Sequence, residues 1–96
     1  MNREAALAEA EKILQSLRKL SYRECRKLME QRSTKTVQGP DGKTYQLETQ
    51  AFWDSKKNGN IRVMVLVDDG GISAFKPLTR SFIISPDGTF VGENID

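Results

Sequence analysis

Few residues of this chain have the types and spacing that chemistry requires. It has no His and one Cys in 96 residues, which excludes the Ser-His-Asp triad, the Cys-His pair and the usual zinc ligand sets. Cys25 falls on the apolar side of a short helical segment. A nucleophilic thiolate needs a base or a helix N-terminus beside it. Arg26 alone supplies neither, so Cys25 is expected to be a small core residue.

Among the carboxylates, Asp54 beside Trp53 is placed to become a general acid in an apolar setting. Glycoside hydrolysis would need a second carboxylate close by. Glu48 and Asp68 are the options, but the hairpin register derived below sets them opposite each other, with Asp54 opposite Arg62. They then lie about six residues from Asp54, at about 3.4 Å each, which is too far. Asp68-Asp69-Gly70-Gly71 lacks both the carboxylate spacing of a calcium loop and the Lys-Ser/Thr ending of a phosphate loop, and reads as a turn. The two Pro-Asp-Gly stretches, at Pro40 and Pro86, offer one carboxylate each, whereas calcium takes about six to eight oxygens. No metal site, cofactor or catalytic residue is expected. Gly39-Pro40-Asp41-Gly42 has the outward form of the Gly-x-x-Gly loop with which KH domains clamp a nucleic-acid backbone. That loop joins helices and this one joins strands, so the likeness fails on context.

Charge offers more. Lys and Arg number 15 against 13 Asp and Glu, but residues 1–35 hold nine basic and five acidic side chains. The excess is tightest at Arg18, Lys19, Arg23, Arg26, Lys27, Arg32 and Lys35. Such a patch can meet phosphates or an acidic partner, or it can be the solvated back of a helix.

These residues must be carried by definable elements. Ala6, Leu7, Ala10, Ile13, Leu14, Leu17 and Leu20 recur at helical spacing, predicting an amphipathic helix over 3–20. Ser21 with Glu24 three residues on has the form of a capping box, predicting a second helix over 22–31 with Tyr22, Cys25, Leu28 and Met29 on its apolar side. After Ser33 the pattern turns to strands, over 35–38, 43–54, 60–68, 72–84 and 89–92. The fourth strand should bend near Pro77, which cannot donate to a ladder.

Three loops, Gly39–Gly42, Lys56–Gly59 and Ser85–Gly88, share one grammar: a type I turn, then Gly in the left-handed region. Turn length sets register. The first loop pairs Val37 with Tyr45. The third pairs Ile84 with Phe90 and Ile83 with Val91. The second, with Lys56 opposite Asn60, pairs Trp53 with Val63, Ala51 with Val65 and Thr49 with Val67. One sheet face then collects Tyr45, Leu47, Ala51, Trp53, Ile61, Val63, Val65 and Val67, which the helices should cover. The other is polar at Gln46, Glu48 and Gln50, yet it also carries Phe52, Met64 and Leu66. That cluster is unusual for a solvated face and suggests a contact surface or a crossing helix.

The expected fold is α+β, a single domain over 1–96 with two N-terminal helices packed on an antiparallel meander of four or five strands. No apolar run approaches the roughly 20 residues of a membrane span. The N-terminus shows no signal peptide, and the lone Cys suits a reducing compartment, so a cytoplasmic protein is expected. The expected function is noncatalytic protein interaction, with self-association possible through Phe52, Met64 and Leu66. The alternative is nonspecific nucleic-acid binding by the basic patch. The third option is an enzyme using Asp54 or Tyr45 in a pocket between helix and sheet.

Overall fold

The computed structural model describes residues 3–68 and 78–92. Two helices lie against one face of a four-stranded antiparallel sheet of order β1-β2-β3-β4. Helix α1 is Arg3–Leu17, α2 is Tyr22–Lys27, and a 3₁₀ turn follows at Leu28–Glu30. The strands are β1 (Ser33–Gln38), β2 (Thr44–Trp53), β3 (Ile61–Asp68) and β4 (Leu78–Ile84).

α1 ends three residues before the apolar spacing does. Beyond Leu17 the bonds tighten, with Lys19 N–H donating to the Ser16 carbonyl at 3.2 Å and Leu20 N–H to that of Leu17 at 3.1 Å. Leu17 and Leu20 still pack on the core, because a 3₁₀ turn keeps residues three apart on one side. The stripe is also rotated from expectation. Ala5, Ala6, Ala10 and Leu14 are buried, whereas Leu7 lies outside the core and Glu9, 8% exposed, turns inward. The small alanines let α1 approach β3 and β4 closely, and that approach sets its rotation. Glu9 keeps its carboxylate satisfied by Lys12 at 2.9 Å.

α2 begins where the capping box places it. Ser21 Oγ accepts from Glu24 N–H at 3.1 Å, and Glu24 Oε1 accepts from Ser21 N–H at 3.0 Å. The bond from the Ser21 backbone, and then that of its hydroxyl, hold the Glu24 carboxyl below the ordinary range. The α-helix stops at Lys27, short of the expected 31, and Gln31 is already extended.

The first and third turns hold their expected registers. Gly39 N–H donates to Lys43 O at 2.8 Å and Val37 pairs with Tyr45. Ser85 N–H donates to Thr89 O at 2.9 Å and Ile84 bridges Phe90. Gly42 and Gly88 take positive φ, at 81° and 90°. The strand expected over 89–92 is reduced to that one bridge and a bond from Val91 N–H to Ile83 O, because Gly92 at φ 76° leaves the extended region.

The middle turn differs. Asp54 N–H donates to Asn60 O at 2.9 Å, so the loop is 55–59, and the left-handed residue is Asn58 (φ 68°), not Gly59. Trp53 pairs with Ile61, Ala51 with Val63 and Thr49 with Val65, each two residues from the expected partner. Helix α2 holds this loop: Tyr22 Oη donates to the Gly59 carbonyl at 2.6 Å, and the Arg26 guanidinium to Asn58 Oδ1 at 3.1 Å. Local turn rules contain no such tertiary contact. A slip of two leaves every side chain on its expected face, because strand side chains alternate with period two.

The core lies between helices and sheet. Tyr45, Leu47, Ile61, Val63, Val65, Val67, Phe82 and Ile84 meet Leu14, Cys25 and the α1 alanines, with Ala51 and Trp53 at its margin. Residues 69–71 of the expected turn after Asp68, the bend near Pro77 and the first half of the expected fourth strand lie outside the described residues.

Candidate functional site

Among the described residues no helix lies on the sheet's second face. Along β3 it presents Arg62, Met64, Leu66 and Asp68, and along β2 Gln46, Glu48, Gln50 and Phe52. Met64 pairs with Gln50 on one side and Ser81 on the other, so Phe52 and Ile83 are its diagonal neighbours. Leu66, Met64, Phe52 and Ile83 therefore form one apolar strip across three strands. Phe52 is 39% exposed, and the other three are half-buried.

Ile83 completes the strip that sequence reading began with Phe52, Met64 and Leu66. Phe82 and Ile84 both enter the core, so the residue between them faces the other way, which the unbroken apolar run Phe82-Ile83-Ile84 does not by itself reveal. Helix coverage of this face, the other expectation for the cluster, does not occur among the described residues.

Glu48 lies opposite Leu66 at one end of the strip, and Arg62 sits between Phe52 and Ile83 at the other. Glu48 accepts from Gln50 Nε2 at 2.8 Å and faces Arg32 at 3.9 Å. Arg62 donates through Nε to Asp54 Oδ1 at 3.2 Å and through Nη1 to Ser81 Oγ at 3.0 Å. In the observed register Asp54 lies opposite Asn60 rather than Arg62, and reaches Arg62 diagonally. Asp68 pairs with Gln46, and Glu48 with Leu66, so these two acids do not face each other as expected. A shallow depression of about 300 Å³ lies at their end of the face, lined in part by Thr34, Leu66 and Asp68.

The other chemically capable groups serve the fold. Cys25 is buried; burial, and then the charge of Glu24, push its thiol up from the ordinary value. Such a thiol stays protonated at neutral pH and is a poor nucleophile. Tyr45 is buried beneath α1's side of the sheet, and its hydroxyl donates to Asp41 Oδ2 at 2.5 Å. That bond, chief among several, holds the Asp41 carboxyl below its ordinary value. The Tyr45 ring also requires the glycine at 39, where a Cβ would stand 2.6 Å from Cε2. Asp87 is held down to about 2 by the Ser85 hydroxyl first and by the Thr89 N–H and hydroxyl after it. Each Pro-Asp-Gly aspartate thus accepts the N–H two residues on, from Lys43 or Thr89, and locks its own turn. Among the described residues no three His, Cys, Asp or Glu side chains group to hold a metal ion.

Three of the seven basic residues lie against aromatic or acidic neighbours. The Arg18 guanidinium lies 5.0 Å from the Phe82 ring centre and 5.1 Å from that of Phe90, themselves in edge-to-face contact. Arg26 lies 5.4 Å over Trp53. Arg32 faces Glu48 beside the open face, and Lys19, Arg23, Lys27 and Lys35 are exposed. No helix among the described residues is long and apolar enough to cross a membrane.

Neither a family model, nor a curated protein, nor a solved structure matches the chain.

Proposed function

We propose that this protein is a noncatalytic interaction domain that meets a protein partner, in the first instance a second copy of itself, through the open sheet face. One observation carries the reading: an apolar strip of Phe52, Met64, Leu66 and Ile83 runs across a face that no helix among the described residues covers. Antiparallel sheets commonly show water a polar face. A strip with a polar rim is the arrangement that exposed contact surfaces take. The ion pair of Arg32 with Glu48 lies at one end, and Arg62, paired with Asp54, sits between Phe52 and Ile83. The Cys25 thiol is buried, the Tyr45 hydroxyl is bonded to Asp41, and Asp54 is paired with Arg62.

Sedimentation across a concentration series tests this. Wild type should associate, and Met64→Glu should give a folded monomer, because a carboxylate in the middle of the strip cannot be buried unpaired. A wild type that stays monomeric at high concentration removes the self-association. A folded Met64→Glu that still associates removes the face.

A second reading, nonspecific nucleic-acid binding, is supported by Arg23 and Lys27, four residues apart and both exposed on α2. Binding of this kind falls steeply with salt, and failure to retard DNA or RNA at low salt discards it.

A further inference from the structure

The two edges of the sheet are treated differently. Beyond β4 the chain folds back, and Val91 N–H occupies the Ile83 carbonyl at 2.8 Å. Beyond β1 there is no strand among the described residues. The Gly39–Lys43 bond sets the phase of the β1–β2 ladder, so 33, 35 and 37 exchange bonds with β2. The N–H and C=O groups of Thr34, Thr36 and Gln38 therefore point away from the sheet. Five of the strand's six residues are exposed, and Val37 alone is half-buried.

Beside this edge, on the helix side, runs a second feature. α1 lies over β3 and β4 and leaves β1 uncovered. A groove of about 270 Å³ remains, with Ile13, Leu17 and Leu28 as its wall, Leu47 in its floor, Ser33 too short to fill it and Lys35 at its rim.

We infer that β1 is a second binding site, which takes an extended, acidic and apolar peptide segment of another protein as a fifth strand. Only another extended backbone matches the alternating donors and acceptors of 34, 36 and 38. An added strand lies about 4.8 Å from β1, and its helix-side side chains run along the groove. An apolar one enters past Ser33, and an acidic one two residues away meets Lys35. Charge selects the occupant. Arg32 and Lys35 are the only charged residues in 32–38. Two copies pairing edge to edge would set like charges together, whereas an acidic strand is attracted. Lys35 thus guards the edge against self-pairing and admits the partner. This site is separate from the open face and stands or falls independently of it.

The probe is a blocked heptapeptide in which valine, glutamate and phenylalanine alternate with four threonines, titrated into the full chain and followed by amide chemical shifts and hydrogen exchange. The expected result is shifts confined to Ser33–Gln38 and the groove, with slowed exchange at Thr34, Thr36 and Gln38. Thr36→Pro removes one outward N–H and no bond to β2, so it should abolish binding with the fold intact. If that variant misfolds, peptide N-methylated at its threonines makes the same test without altering the protein. Lysine in place of the glutamate should weaken binding about tenfold. Absence of shifts at millimolar peptide, binding that survives Thr36→Pro or N-methylation, or shifts centred on Phe52 and Met64 would each overturn the proposal.

Discussion

Strands β2 and β3 face two ways and are built differently on each side. Toward the helices they present Tyr45, Leu47, Ile61, Val63, Val65 and Val67, all essentially removed from water. Away from them they present Gln46, Glu48, Gln50, Phe52, Arg62, Met64, Leu66 and Asp68, none of them buried. The backbone and ladder are shared, so the difference comes from alternation and from what lies above each face. The covered side is aliphatic because α1, with its buried alanines, packs close on β3 and β4. The open side of these two strands mixes three apolar side chains with polar and charged ones, the composition expected of the proposed contact surface.

The sharpest break of this comparison is to cut the same residue type from each side. Leu47→Ala, in the floor of the core, should cost about 2–5 kcal/mol in urea unfolding. Leu66→Ala, on the open face, should cost under about 1 kcal/mol. Equal losses would mean that the open face is packed in solution and that the proposed contact surface is not free.

A smaller effect tests how the covered side sets the hairpin. Tyr22→Phe removes the donor to the Gly59 carbonyl and should cost about 1 kcal/mol. Exchange should accelerate at 55–59 while the open-face amides stay unchanged. Acceleration across the whole of β3 would show that the loop contact governs the sheet and not merely its end.

The smallest effect is read in acid. The carboxyl of Asp87 is held at about 2 in the folded chain, below the ordinary value near 3.9. The unfolded chain therefore takes up the proton first as pH falls. The stability this group contributes is full above about pH 4 and is lost as pH drops toward 2. Asp87→Asn should flatten that acid limb and leave association through the open face untouched. An unaltered limb would mean that the Ser85 and Thr89 bonds do not persist in solution.

Much of this was readable before any coordinates. The capping box at Ser21, the turns at Gly42 and Gly88 and the assignment of side chains to faces all follow from short-range rules, and each was found where expected. Phe52, Met64 and Leu66 were recognisable as misplaced apolar residues for the same reason. Where expectation failed, a distant contact had intervened. Leu7 left the core because the alanines of α1 let it settle with Ala5 inward. The 55–59 loop lengthened where Tyr22 and Arg26 hold Asn58 and Gly59. Ile83 joined the strip only once β4 had a register against β3. Of the basic residues, Arg18, Arg26 and Arg32 each lie against an aromatic or acidic neighbour, contacts that no short-range rule contains.

By itself the amino-acid order determined the turns at Gly42 and Gly88, which strand residues alternate and which side-chain types are lacking, because these depend on neighbours within about four positions and on side-chain inventory. Tertiary structure alone decided that, among the described residues, one face stays open, one edge is folded over and the other left bare, and a groove remains beside β1. Those outcomes depend on where α1 comes to rest across the sheet. Its position is set by the fit of small residues against β3 and β4, a property of packed surfaces that no local pattern contains.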